Sequence, residues 1–309
     1  MNRIRRILIT GGSGSIGGRL ARRLTQQGYH VRVADQVPPQ TEVAEFMLAD
    51  ILRQEDMEQA TRDMDMVIHL AAIPVENGDS RKIFHVNLEG TFNVLDAAAK
   101  NDVKRFVFAS SVVVYALLKP SKPFAPAYFP VDEEMPLIPD RNYSVGKTAA
   151  EAYMKAYARL YDMDAIALRL ATVMAPKKGG KWSWYDVVAD IDNPEVKFGN
   201  LSMRDFMWQY VHVEDAVQAF EKVVAYAGAQ SGFGFEAFNI GAEDCMCGLP
   251  TLELIRRYFP DVPLLKAPAR YAENPNAALY GIDKAKRMLG YRPEYTWRVL
   301  LEEDEAGRG

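Results

Sequence analysis

A chain of 309 residues with 49% hydrophobic content is long enough for one large α/β domain with an attached lobe, and its net charge of −4 comes with no basic stripe for nucleic acid. No run of about 18 apolar residues occurs, and the apolar stretch after Met1 breaks at Gly11, too soon for a signal-peptide core. The expectation is a cytoplasmic protein with no membrane and no nucleic-acid partner.

The first element is an apolar strand, Ile7-Leu8-Ile9-Thr10, that runs into Gly11-Gly12-Ser13-Gly14-Ser15-Ile16-Gly17. A turn between a strand and a helix gathers bare N–H groups and the positive end of the helix dipole, an arrangement that suits a pyrophosphate. Gly11 can take the positive φ of a tight turn, Gly14 lets the backbone approach the phosphates, and Gly17 lets helix pack on strand. Residues 15–27 predict an amphipathic helix through Ile16, Leu20 and Leu24, stopped by Gly28. A second strand, Tyr29 to Ala34, ends at Asp35, about 20 residues past the turn, where a carboxylate meets the hydroxyls of an adenosine ribose. That carboxylate repels a 2′-phosphate, and Gln36 and Val37 supply no cation to pair with one, so the pattern favours NAD over NADP.

Alternation continues with strands over Phe46–Ala49 and Met66–Ala71, a helix over about Arg81–Asn101 and a strand over Arg105–Ser110, then a helix from Asn142 to about Tyr161 and a strand over Ala165–Leu170. Such alternation predicts parallel strands joined by right-handed crossovers, with ligands at the strand carboxyl ends. Those ends carry Asp35, Asp50-Ile51, Ala71-Ala72 and Ser110-Ser111. Prolines 120, 123, 126, 130, 136 and 139 mark an extended loop between two candidate catalytic positions, suited to a lid or to an inert surface excursion. The pattern then loosens. The expected division is a dinucleotide-binding domain over 1–170 with 206–241, and a substrate-binding lobe over 171–205 with 242–309.

Tyr143 and Lys147 stand four residues apart, on one face of the predicted helix. A phenol is a poor base at pH 7, but a neighbouring cation, with the positive nicotinamide, favours the phenolate. The tyrosine can then take a proton from a carbinol as the hydride leaves for the nicotinamide. Ser111, at a strand end, can hold the substrate oxygen. Cys245 and Cys247 lie too close in sequence for an easy disulfide, and His30, His69, His85 and His212 show no metal spacing, so no metal is expected.

Thr-Gly-Gly-Ser-Gly-Ser-Ile-Gly (10–17), Asp50, His-Leu-Ala-Ala (69–72), Asn87, Ser-Ser-Val-Val-Val-Tyr (110–115), Tyr143/Lys147, Tyr-Val-His-Val-Glu-Asp-Ala (210–216), Phe-Asn-Ile-Gly (238–241) and the ending from Ile282 to Pro293 together span nearly the whole chain. In these motifs the chain resembles the extended short-chain dehydrogenase/reductases of the NAD-dependent epimerase/dehydratase family. The resemblance implies an α/β Rossmann-type doubly wound parallel sheet with a smaller C-terminal substrate lobe. It further implies that NAD lies along Gly11, Gly14, Ser15, Ile16, Gly17 and Asp35, that Asp50 and Ile51 flank the adenine, that Leu70, Ala71 and Ala72 line the cofactor cleft with Asn87 nearby, and that Ser111, Tyr143 and Lys147 carry catalysis. Family members commonly form homodimers through two helices, here about 81–101 and 142–161.

Two departures narrow the reaction. Family dehydratases place acidic residues directly after the catalytic hydroxyl residue, where this chain has Val112 and Val113, which disfavours elimination. Sugar-nucleotide members place an arginine shortly before the Val-x-Val-x-Asp segment and an asparagine after the strand ending in Arg-Leu. Here those places hold Trp208 and Thr172, with Arg204 four residues upstream of Trp208. Lys177, Lys178 and Lys181 add charge, and Trp182, Trp184, Tyr185 and Trp208 suit either stacking on a sugar or packing of the lobe. The readings carried forward are an NAD-dependent sugar epimerase acting on a sugar or nucleotide-sugar substrate, a dehydrogenase of a free aldose or uronate, and a non-catalytic NAD-binding protein. The intact Ser111, Tyr143 and Lys147 argue against the last.

Overall fold

The computed structural model describes residues 4–40, 42–74, 79–116, 126–175, 184–198, 201–261 and 265–298. Its chain divides into two compact units, the first formed by Met1–Val114, Pro139–Arg169 and Val217–Phe238, the second by Tyr115–Ile138, Leu170–Ala216 and Asn239–Gly309. The division differs from the expected one in four places: residues 115–138, predicted as a loop of the dinucleotide domain, belong to the second unit, and so do residue 170, residues 206–216 and residues 239–241.

The first unit is built on β1 (Arg6–Thr10), β2 (His30–Asp35), β3 (Glu45–Leu48), β4 (Met66–His69), β5 (Arg105–Ser111), most of β6 (Asp164–Leu170) and, from later in the chain, most of β11 (Phe235–Ile240). They lie side by side in the order β11-β6-β5-β4-β1-β2-β3, with β1 pairing in parallel with both β2 and β4. Consecutive strands travel outward from β1 in one direction and then in the other, so the order reverses beside β1, where open α/β sheets open a crevice for ligands. The strands are apolar runs because both faces are covered: all of Ile7, Leu8, Ile9, Val67, Ile68 and Phe106 are fully buried.

Helices α1 (Ser15–Gln26), α2 (Gln54–Thr61), α4 (Gly90–Lys100), α5 (Asn142–Leu160) and α7 (Val213–Ala229) supply the cover. Met57 of α2, Val94, Leu95, Ala97 and Ala98 of α4, and Ala150 and Met154 of α5 form one core cluster with Leu8, Val67 and Phe106. Each large apolar side chain buried there contributes about 1.5–3 kcal/mol. The helix expected over 81–101 consists of α3 (Ser80–Phe84), a wide π turn over His85–Glu89, and α4.

In the second unit β7 (Thr172–Met174) pairs in parallel with β10 (Tyr210–His212), and β8 (Lys197–Phe198) pairs antiparallel with β9 (Leu201–Ser202). Helices α6 (Trp184–Ala189), α8 (Thr251–Tyr258), α9 (Pro268–Glu273) and α10 (Asp283–Leu289) complete it. Its core is aromatic, with Phe129, Trp208, Tyr210, Tyr280 and Tyr291 fully buried. No helix among the described residues is long and apolar enough to cross a membrane.

Candidate active site

The glycine turn closes against the segment that follows β4. Gly11 has φ +70°, and a Cβ on it would stand 2.6 Å from the Ala71 nitrogen, so only glycine fits both the conformation and the space. A Cβ on Gly17 would press into Gly12, with its Cα 2.6 Å away, so the start of α1 packs directly on the turn. Gly14 caps α1 without a side-chain hydrogen bond. The first N–H groups of α1, those of Ser15 and Ile16 among them, therefore meet no capping side chain of their own, as an anion at a helix N-terminus requires.

Asp35 ends β2 beside this turn. One carboxylate oxygen accepts from the Ser13 nitrogen at 3.0 Å and the other from the Gln36 nitrogen at 2.7 Å, which fixes the group through backbone N–H donors. Asp50 plays a local part as well: it accepts from the Leu52 nitrogen at 2.9 Å, while the Ile51 carbonyl accepts from Asn93. Leu70, Ala71 and Ala72 are half-buried after β4. Just beyond them, Asn87 donates to the Ile73 carbonyl at 2.9 Å and accepts from the Ile73 nitrogen at 2.7 Å. A helix N-terminus without a capping side chain, a cradle that any Cβ would fill and a carboxylate fixed by backbone donors at the end of β2 together fit a dinucleotide.

Ser111 is the last residue of β5, and Tyr143 and Lys147 lie on the inward face of the first turns of α5. Tyr143 is half-buried as a residue, and its hydroxyl is hydrogen-bonded to Ser111. Lys147 is 2% exposed. Its ammonium donates to the Ala109 carbonyl at 2.6 Å and stands 4.4 Å from the centre of the Phe108 ring and 5.6 Å from that of Tyr143. The three residues named from the sequence thus come together in one unit.

Burial governs their proton affinities. It pushes the Tyr143 phenol up to about 12, against a downward pull from the Ser111 hydrogen bond. It pushes Lys147 down to about 7, against an upward pull from the Glu151 carboxylate. In the protein alone the phenol therefore keeps its proton at pH 7, and a further positive charge beside it is needed to favour the phenolate.

Around these residues lie groups that spacing did not single out. Glu151, one turn beyond Lys147, is fully buried, accepts from the Ser110 hydroxyl at 2.6 Å and is held by Arg169 of β6 at 2.7 Å. His69 is also fully buried, 2.6 Å from the Thr10 hydroxyl and 2.9 Å from that of Thr91, and burial lowers it to about 3, so the ring is neutral. The i+4 step from Lys147 to Glu151 was a visible signal, but its partner Arg169 is contributed by a different strand.

The three residues expected at the substrate lie in the second unit. Trp208 is fully buried, its indole nitrogen donates to the Pro194 carbonyl at 2.8 Å and its ring lies 5.2 Å from that of Tyr258. The expectation that it contacts substrate gives way to packing, because neither face nor nitrogen is presented to solvent. Arg204 donates to Glu195 at 2.9 Å and lies 3.7 Å from Asp205, so its charge is balanced within the unit. Thr172 is half-buried in β7, paired through its backbone with Tyr210. Lys177, Lys178, Lys181 and Trp182 lie outside the described residues, as do prolines 120 and 123.

A model of the NAD dependent epimerase/dehydratase family matches residues 7–241, from the first strand to the end of β11. The chain belongs to this family. It is an NAD-dependent enzyme, with NAD as its cofactor. It is 30% identical over 258 residues to a UDP-glucose 4-epimerase of Mycolicibacterium smegmatis, covering 76% of this chain and 77% of that one. It is 27% identical over 174 residues to an L-arabinose 1-dehydrogenase (NAD(P)(+)) of Haloferax volcanii, covering 55% of this chain and 67% of that one. Among solved structures, the crystal structure of a UDP-galactose 4-epimerase aligns with a TM-score of 0.68 at 26% identity, covering 98% of this chain and 99% of that chain.

Proposed function

We propose that the protein is a sugar epimerase that acts by transient oxidation of one carbinol, with a nucleotide sugar as substrate. The observation that carries the reading is the Tyr143 hydroxyl hydrogen-bonded to Ser111, with the Lys147 ammonium 5.6 Å from its ring. Bound NAD supplies a hydride acceptor and, in its oxidised form, the positive charge that the phenol needs. Tyr143 takes the proton of the substrate hydroxyl and gives it back when the carbon is reduced again. Ser111 holds the substrate oxygen and shares the charge that develops on it. Lys147 supports the phenolate, and the Ala109 carbonyl fixes where its nitrogen stands. The likeness over most of the chain to a UDP-sugar 4-epimerase supports a nucleotide-sugar substrate. Val112 and Val113 after Ser111 disfavour elimination, because they bring no acid or base.

The second reading is a dehydrogenase of a free aldose or uronate. It is favoured by Arg204, which is engaged with Glu195 where a diphosphate would call for an open cation. Purified protein supplied with NAD+ and candidate sugars separates the two: an epimerase yields the epimer without accumulating NADH absorbance, and steady accumulation moves the assignment to the dehydrogenase. Calorimetric titration with uridine diphosphate then tests the nucleotide, with binding lost in Arg204→Ala as the result that supports it. The protein is further proposed to form homodimers through α4 and α5, where Phe92, Tyr153 and Leu160 are exposed, and sedimentation at micromolar concentration tests this.

A further inference from the structure

Lys147 has a second set of neighbours that the proposed chemistry leaves unused. Its own helix carries Glu151 one turn on, fully buried, and the strand beneath supplies Ser110, which lies between the carbonyl that holds Lys147 and the hydroxyl residue Ser111. Arg169, 3% exposed on β6, closes on the same carboxylate through two nitrogens, at 2.7 and 3.1 Å. A buried carboxylate with three such bonds cannot rotate, and its negative charge is fixed relative to the ammonium four residues earlier. We propose that Glu151, clamped by Ser110 and Arg169, is a positioning residue that opposes the loss of charge from the buried Lys147 and holds it in register with Tyr143, and so sets the pH range over which the site works.

The surroundings of Lys147 identify Glu151 as the source of that charge. Tyr143 faces it from α5 as a protonated phenol, His69 from β4 as a neutral ring, and Phe108 from β5 as an aromatic face. Glu151 is the one negative group among these described neighbours, and Arg169 on β6 balances it from the side of the carboxylate. Burial alone drives an ammonium toward its neutral form, and the carboxylate opposes that. Arg169 then acts on Lys147 with the opposite sign, because it partly cancels the field of Glu151.

This inference rests on the reading of Tyr143 and Lys147 as the acid/base pair, so its test needs a readout other than turnover. The Lys147 amine is titrated by NMR in protein carrying ¹³C-labelled lysine, with Lys147→Arg used to assign the signal, and the pH profile of kcat is recorded alongside. Glu151→Gln should move the Lys147 midpoint down by about one unit, a tenfold loss of the ammonium fraction above the midpoint. Arg169→Gln should move it up, and Glu151→Asp should restore most of the wild-type value. A merely structural ion pair would give the two neutralising variants shifts of the same sign, or none, and either result overturns the proposal. Should Glu151→Gln fail to fold, Glu151→Gln/Arg169→Gln leaves no lone buried charge. It should still move the midpoint down, since the Glu151 carboxylate is the charge that pulls Lys147 upward; an unmoved midpoint there counts against the proposal. If the midpoints shift as stated while no sugar is turned over, the proposed function falls and the role of Glu151 stands.

Discussion

Tyr143 in the first unit and Tyr210 in the second each sit beside charged groups, yet their partners differ in sign. Tyr143 is hydrogen-bonded to a neutral hydroxyl, Ser111, with the Lys147 ammonium 5.6 Å from the centre of its ring. Tyr210 donates to the Asp244 carboxylate, which Arg298 holds from its far side at 3.0 Å, and accepts from the Trp297 nitrogen at 3.0 Å. Burial and then the Asp244 charge raise the Tyr210 phenol far beyond the ordinary range, which makes it a permanent donor. Burial raises Tyr143 too, but the Ser111 hydrogen bond opposes the rise, and one added positive charge would act in the same direction. A phenol against a carboxylate joins segments of chain, whereas a phenol against a cation is available to exchange its proton.

Three substitutions or titrations break or sharpen this contrast. Tyr143→Phe should lower kcat by about 10³-fold, equivalent to about 4 kcal/mol of barrier, while the melting temperature and NAD affinity stay near wild type. A comparable fall in melting temperature would place Tyr143 in the same class as Tyr210. Tyr210→Phe should do the reverse. Removing the donor to a buried carboxylate costs about 2–3 kcal/mol of stability, read from the denaturant midpoint, and the folded fraction should bind NAD as before. The smallest effect belongs to a third buried ring, His69. Burial lowers its native value to about 3 from 6.5, so the unfolded chain binds the proton more readily and stability declines as pH falls below 6.5. Between pH 7 and pH 5 the loss from His69 is about 2 kcal/mol. His69→Asn should remove that part of the pH dependence, and an unchanged slope in urea unfolding across this range would count against a neutral native ring.

The contrast also explains what could be read from the sequence. Gly11 to Gly17, Asp35, Tyr143 and Lys147 were legible because each signal is local: a turn, the end of a strand, a step of four along a helix. The alternating strands were legible for the same reason, and β1 through β6 fall within one or two residues of expectation. Trp208 was read as open to either sugar or core, and nothing nearby in sequence announces that the Pro194 carbonyl takes its nitrogen. Residues 126–138 looked like an excursion from the first unit because prolines mask their bridges: Phe129 pairs with Leu265 and Val131 with Tyr280, both distant in sequence. The clamp on Glu151 was hidden likewise, since Ser110 and Arg169 come from separate strands.

The two hydrogen bonds between Asn87 and Ile73 have a meaning of their own. An amide side chain that gives to a residue's carbonyl and takes from the same residue's nitrogen presents what an edge strand would present. After β4 the chain has left the sheet, yet at Ile73 it still has a ladder rung, contributed by one side chain projecting from the wide turn of a helix. Asn87 thus stands in for a strand one residue long. Aspartate has its shape but only acceptors, so the near-isosteric exchange that is harmless on a surface would here cut the rung in half.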